Sequence, residues 1–359
     1  LLLIIMSYLK IFFLMLCMIL VSCTGQKTGK ENDNNDKIAI EVGEIKFPPQ
    51  DVLQLKSYYL SSSVHVDSID YLIGYNYRLH SLDCMNLKSK SVTQIVLPGD
   101  GPDAIVRLSG IYAQSLDSVW ISDESERAFL IDSVGTIKRM IDLKKYLEDQ
   151  EQLLINTNYV MFTSHLFYNA SRHSLMFLVK HTPSNTFIVK EVFIDEVGKM
   201  ATYQLSSSKV VPDMSKGYAY INFPNVNFVG ENIVYNYPVE SSIYMLDIRT
   251  NERKYILADS HYTSNIIEKC TTSGDYATLE KHWLENSHFY DIMYLPKYKI
   301  YARLHADKVD FDEKKGMEKL INERDLYLML FDENMEKIGE TKLSNCRYSP
   351  FTSWNATYG

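Results

Sequence analysis

The densest group of side chains able to do chemistry is His282, Glu285 and His288, gathered around Trp283 in one short stretch. Imidazoles beside a carboxylate could ligate a metal or hold a polar ligand. Two histidines without a third fixed ligand do not close a zinc site, so the spacing points to a ligand-binding loop or to a plain solvated turn. A second group is Asp100 and Asp103, in the run Pro98, Gly99, Asp100, Gly101, Pro102, Asp103. Their carboxylates could face a cation or a basic partner, or simply shape a turn beside glycine and proline. The chain has no Gly-x-Ser-x-Gly elbow, P-loop, HExxH helix or EF-hand spacing. Gly99, Gly101 and Ala104 imitate a dinucleotide fingerprint, but Pro102 and the short stretch after it give no helix to receive a pyrophosphate. Cys84, Cys270 and Cys346 lie too far apart for a disulfide framework or a zinc site and read as small hydrophobes. No catalytic residue, metal or cofactor is assigned.

Those groups must be positioned by β-structure. The chain has 359 residues, 46% hydrophobic and 23% charged, which excludes disordered and fibrous classes. Its net charge of −8 leaves no excess of cation to displace phosphate counterions, so no nucleic-acid partner is expected. From residue 38 onward, alternating apolar and polar runs recur as a phrase of three β-runs, the middle one closing on Asp83, Asp132, Asp247 or an equivalent. The copies cover residues 71–97, 118–143, 174–205, 232–257 and 299–343. They end at Leu97, Leu143, Leu205, Leu257 and Leu343, and the first three intervals, 46, 62 and 52 residues, fall near the unit of propeller blades. The wider fourth interval holds an insertion at 310–324 whose Met317, Leu320 and Ile321 follow helical spacing. A second helix is predicted over 143–155. Residues 123–127 read as a solvated charged hairpin. A sixth sheet would be completed by residues 38–47 and 53–60 together with the final residues of the chain. The expected fold is an all-β, six-bladed β-propeller with two small helical insertions, since a β-sandwich would give neither the period nor the serial strand order.

The beginning of the chain bears on compartment. Met6 is the expected initiator, followed by Lys10, an apolar stretch over 11–21, then Ser22 and Cys23. That is a secretory signal pattern, too short for a transmembrane helix of ~20 residues. Leu20, Val21, Ser22 and Cys23 match the bacterial lipobox, which implies a signal peptide over 1–22 and a lipid on Cys23. Thr24 after the cysteine favours the outer membrane by resemblance to lipoprotein sorting. Residues 24–37 contain no apolar side chain and cannot offset the entropy of ordering. Residues 23–37 are therefore expected to be a disordered polar tether, leaving 38–359 as the propeller domain.

The Gly99, Gly101, Pro102 turn resembles that of TolB-like and NHL-like six-bladed propeller lipoproteins of Bacteroidetes. The layout of lipobox, polar tether, residues 70–76, the Gly-Pro turn and residues 116–121 is similar to a domain-of-unknown-function family of that group. Such families have no established catalytic residues, so none is carried over. Ser68, Ser118 and Ser133, each after Asp and before an apolar residue, resemble acceptors of an O-glycosylation system of exported Bacteroidetes proteins; Asp-Ser is also an ordinary turn. The function expected is a lipid-anchored, outer-membrane, non-catalytic binding module for a protein, peptide or glycan of the envelope. The alternative is a propeller hydrolase or lyase acting on glycans with acids at the central mouth.

Overall fold

Every one of the five phrases folds as three antiparallel strands, and every one is preceded by a further strand that completes its sheet. The computed structural model describes residues 40–41, 43–48, 58–155, 162–210, 218, 223–270, 276–343 and 355. Blade 1 is β1 (Ser61–Val66), β2 (Ile69–Asn76), β3 (Ser81–Asn86) and β4 (Val92–Val96). Blade 2 is β5 (Leu108–Ser115), β6 (Ser118–Asp123), β7 (Arg127–Ile131) and β8 (Ile137–Asp142). Blade 3 is β9 (Glu151–Leu154), β10 (Phe167–Asn169), β11 (Ser174–His181), β12 (Thr186–Phe193) and β13 (Met200–Gln204). Blade 4 is β14 (Asn225–Val229), β15 (Asn232–Asn236), β16 (Ile243–Asp247) and β17 (Arg253–Ile256). Blade 5 is β18 (His288–Leu295), β19 (Ile300–Ala306), β20 (Leu326–Phe331) and β21 (Lys337–Lys342).

The turns explain why the phrase ends as it does. Oδ1 of Asp132 accepts the amides of Val134 and Thr136, Asp247 those of Arg249 and Thr250, and Asp332 those of Asn334 and Glu336. Each Asp thus replaces the ladder partner that the backbone loses on leaving the third strand. In blade 1 this is Asn86, which accepts from Lys88 and Ser89. Asp83, the expected equivalent, is buried within β3 instead. Between β1 and β2, Asp67 and Ser68 both take positive φ, 50° and 62°, the geometry of a tight two-residue hairpin.

The core lies between neighbouring sheets. Ile73 and Leu82 of blade 1 pack on Ile111 and Ile121 of blade 2, and Trp120 packs with Phe177 at the next seam. Val189 and Leu178 meet Tyr235 and Tyr244 between blades 3 and 4, and Val234 and Ile243 meet Ile292 and Phe331 between blades 4 and 5. That last seam also buries Arg303, whose guanidinium donates to the Ser241 and Ala258 carbonyls and lies 4.8 Å from the Phe289 ring centroid. The outer strands, β4, β8, β13 and β17, carry mostly exposed or half-buried residues, as the last strand of a blade should.

The ring has five blades, not six. Blade 1 takes its first strand from residues 61–66, and the described residues 58–60 of the stretch expected in a sixth sheet carry no strand. The described part of 38–47 contains no strand, and 53–57 lie outside the described residues. The helix expected over 143–155 is also corrected. Only Leu143–Tyr146 make a single 3-10 turn, and Glu151–Leu154 become β9. β10 pairs β11 at Met176, Leu175 and Ser174 alone, and β9 covers the remaining inner edge from Leu178 to His181. An unpaired inner edge is costly, so tertiary pairing overrides the local helical pattern. The insertion at 310–324 does hold a helix, α2 (Met317–Glu323). An unexpected one, α1 (Tyr276–Leu284), precedes β18. Trp283, Leu284, Leu320 and Ile321 from the two helices join the cluster of blades 3 and 4.

Gly135, in the β7–β8 turn, has φ +85°, and a Cβ there would lie 2.2 Å from the Val96 carbonyl oxygen of blade 1. Gly135→Ala should therefore lower stability by about 2 kcal/mol, from both the left-handed backbone and the clash across the seam. Urea unfolding of the two proteins measures it; equal midpoints would contradict the seam geometry.

Candidate functional site

β1, β5, β10, β14 and β18 stand first in their sheets, and they line one cavity of about 330 Å³. Ser62, Tyr112, Phe167, Phe228 and Tyr294 give one wall residue from or beside each. These strands belong to different sheets, so side chains must tie them together. Asn225 and Asn227, two apart and therefore on one face of β14, donate through Nδ2 to the Phe289 and Ile292 carbonyls of β18, each at 3.0 Å. Ser62 Oγ accepts the Ala113 amide of β5 at 3.1 Å. Asn355 Nδ2 donates to Ser61 Oγ at 2.7 Å.

One side of the wall is aromatic. Phe167 meets Tyr112 edge-on at 5.1 Å between ring centroids and stacks on Phe228 at 5.0 Å. Burial pushes the Tyr112 phenol up, so it stays neutral. On another side stands His165, on the segment leading into β10. Ser164 makes a parallel bridge with Val226 of β14, and the Val226 amide donates to the Thr163 carbonyl at 2.8 Å. This holds the imidazole with Nε2 3.3 Å from Oδ2 of Asp291, itself only 2% exposed. A buried carboxylate orienting a cavity-wall imidazole is an arrangement able to position a proton or to accept a ligand hydroxyl.

The other buried charges sit within blades and seams. Asp83 accepts from Tyr58, Asn76 and Gln94, and Glu191 from Arg172, Ser174 and Tyr203. Asp123, expected in a solvated hairpin, is buried and bound by Arg127 at 2.7 Å, because it also caps the backbone at Ser125 and Arg127. Glu340 lies 2.8 Å from His305 and accepts from Ser260, Lys337 and the His261 amide.

The residues singled out from sequence do not assemble into one site. Asp100 and Asp103 are exposed on the connection from β4 to β5, where Gly101 takes φ +90° and the Ala104 amide donates back to its carbonyl. Both sit in that turn, away from the cavity lining. His282, half-buried on α1, donates through Nε2 to the Glu268 carbonyl at 2.7 Å, while Glu285 is exposed and faces Lys281. His288 is fully buried at the start of β18 and accepts from Trp283 Nε1 at 3.1 Å; burial, then Arg324, holds its imidazole neutral. The solvated-turn reading thus fails for His288. Among the described residues no three His, Cys, Asp or Glu side chains group to hold a metal. Cys84 is buried, as a small hydrophobe should be. Ser68 and Ser133 are exposed, and Ser118 is half-buried at the start of β6; Ser133 Oγ donates to Asp117 Oδ1 at 2.8 Å. Cys23 and the residues expected to form a signal peptide and a tether lie outside the described residues. His165 and the first strands were missed because period-2 apolar scanning passes over stretches such as Ser61, Ser62, Ser63 and Asn225, Val226, Asn227. The Asn-x-Asn alternation was the signal available.

Serial antiparallel sheets of four or five strands, whose inner strands share one cavity, define a five-bladed β-propeller. The chain belongs to the family of domains of unknown function DUF4221, which matches residues 31–342. A solved DUF4221 member from Bacteroides vulgatus is similar, with 15% identity, 83% of this chain and 84% of that chain covered, and a TM-score of 0.66. A Bacteroides fragilis protein is 12% identical over 86% of this chain and 78% of that chain, with a TM-score of 0.45. The family expected from the sequence is thus met at the level of a domain of unknown function. The comparisons carry no link to TolB-like or NHL-like proteins, and no curated protein matches.

Burial alone would raise the Glu340 carboxyl, but the bonds from His305, Lys337, Ser260 and His261 outweigh it and hold it at about 2, below its ordinary 4.5. A depressed carboxyl stabilises the fold above pH 4.5 and loses that contribution as pH falls toward 2. Glu340→Gln should cost about 3 kcal/mol at pH 7, with the gap to the parent protein closing between pH 4.5 and 2. Urea titrations across that range provide the check.

Proposed function

We propose that this protein is a lipid-anchored, non-catalytic binding module of the cell envelope that takes its ligand or partner at the axis of the propeller. The observation that carries this reading is the cavity itself, reached by all five first strands. Groups held there by sheets on every side are preorganised, and preorganised groups bind without a large ordering cost. Propeller axes and the loops around them are where such scaffolds collect binding groups. The lipobox at Cys23 and the polar segment behind it support attachment to a membrane, with Thr24 favouring the outer one. Envelope proteins, peptides and glycans are the partner classes that fit this placement.

A second reading, a hydrolase or lyase, has one observation in its favour: His165 on the cavity wall with Asp291 behind it. The binding reading predicts no turnover of chromogenic glycosides or esters by the purified protein. Turnover that disappears in His165→Ala would establish the enzyme instead. For the anchor, cells fed radiolabelled palmitate should label the parent protein and not Cys23→Ala; an unlabelled parent would remove the lipid from the proposal.

A further inference from the structure

The cavity wall is uncharged. Among the described residues lining it, none carries a carboxylate, an ammonium or a guanidinium, in a chain where 23% of residues are charged. The wall instead combines hydroxyls and amides, Ser61, Ser62, Ser63, Asn227 and Asn355, with the aromatic side formed by Phe167 and its neighbours. Several of the polar groups have a hydrogen-bonding valence left over, and Ser62 and His165 supply a donor and an acceptor. Ser62 Oγ accepts from the Ala113 amide, and its own proton remains to be donated. His165 Nε2 is engaged by Asp291, so the neutral ring presents Nδ1 as its acceptor.

One donor, one acceptor, an apolar wall and no charge together match a compact ligand bearing hydroxyl groups, since each hydroxyl both gives and takes a hydrogen bond. A carboxylate or an ammonium would satisfy only one of the two groups and would be stripped of water without a counter-charge. An aromatic side chain of a peptide would use the wall and leave the Ser62 and His165 groups unmatched. A volume of about 330 Å³ is at the small end of ligand pockets, enough for a terminal unit rather than a long segment. We infer that the axial cavity binds an uncharged sugar unit, free or at the end of a glycan. Its apolar face lies toward the aromatic side, and its hydroxyls meet Ser62 and His165. This inference rests on the cavity being the binding site.

The test is ligand-observed NMR and calorimetry with the full chain. The probes are glucose, galactose, mannose and N-acetylglucosamine, set against glucuronic acid, glucosamine and a capped Gly-Phe-Gly peptide. A neutral sugar should bind with an affinity that changes by less than about twofold between about 50 and 500 mM salt, because no charge is involved. Ser62→Ala should weaken it by about three- to tenfold, the worth of one hydrogen bond. Ser62→Trp should abolish it by filling the space, and an unchanged melting temperature would show that the fold survives. Tighter binding of either charged sugar, or no binding by any neutral sugar, overturns the inference. Peptide binding lost in Ser62→Trp overturns the sugar class but leaves the cavity as the site. Sugar binding unaffected by Ser62→Trp overturns both.

Discussion

A small twisted sheet has two faces to bury, and it cannot bury both by itself. Everything in this fold follows from meeting that need with copies of the same unit. Blade 2 buries Ile121 against blade 1 and Trp120 against blade 3, two neighbouring residues pointing to opposite faces of one strand. Blades 2, 3 and 4 are therefore finished only by their neighbours, and removing one would expose two seams. The serial order of the strands in each blade follows from the same demand, since short turns build each sheet before the chain crosses to the next.

Five sheets converging on one axis leave little room, and that room is managed with polar side chains. Asn225 and Asn227 bond to carbonyls of β18 where no backbone ladder joins the two strands. Most buried charges go elsewhere. Glu191 is enclosed with its donors inside blade 3, Glu340 is enclosed between blade 5 and the connection after β17, and Arg303 is enclosed at a seam by carbonyls and aromatic rings. Such groups tolerate burial because each has donors or acceptors set around it. The cavity wall keeps hydroxyls, amides and one imidazole, with the Asp291 carboxylate behind it.

Much of this architecture was legible in the residues. The second, third and fourth strands of each blade are short apolar-rich runs, and in blades 1, 2, 4 and 5 an Asp or Asn caps the turn after the third, so period and punctuation located them. The first strands did not declare themselves, because their polar residues serve neighbouring strands and not a local apolar face. Missing them led directly to six blades: residues 53–60 looked like surplus strand, when the stretch from Ser61 was the inner edge of blade 1. The helix expected over 143–155 failed because β11 needed a partner for its upper half. The site was less legible still. His165 and Asp291 lie 126 positions apart and meet only at the axis, whereas His282, Glu285 and His288 are close in sequence and divided by a helix end that buries His288, half-buries His282 and exposes Glu285.

The division of the inner edge of blade 3 between β9 and β10 has a mechanical consequence. The backbone around Thr163 and His165 is pinned to β14 by its own parallel contacts, while β10 just after it is pinned to β11. The imidazole therefore rides on a strap slung between two blades and belongs to neither. Any widening of the wedge between them would pull that strap before disturbing either sheet, which makes the position of His165 a gauge of how tightly the ring is drawn.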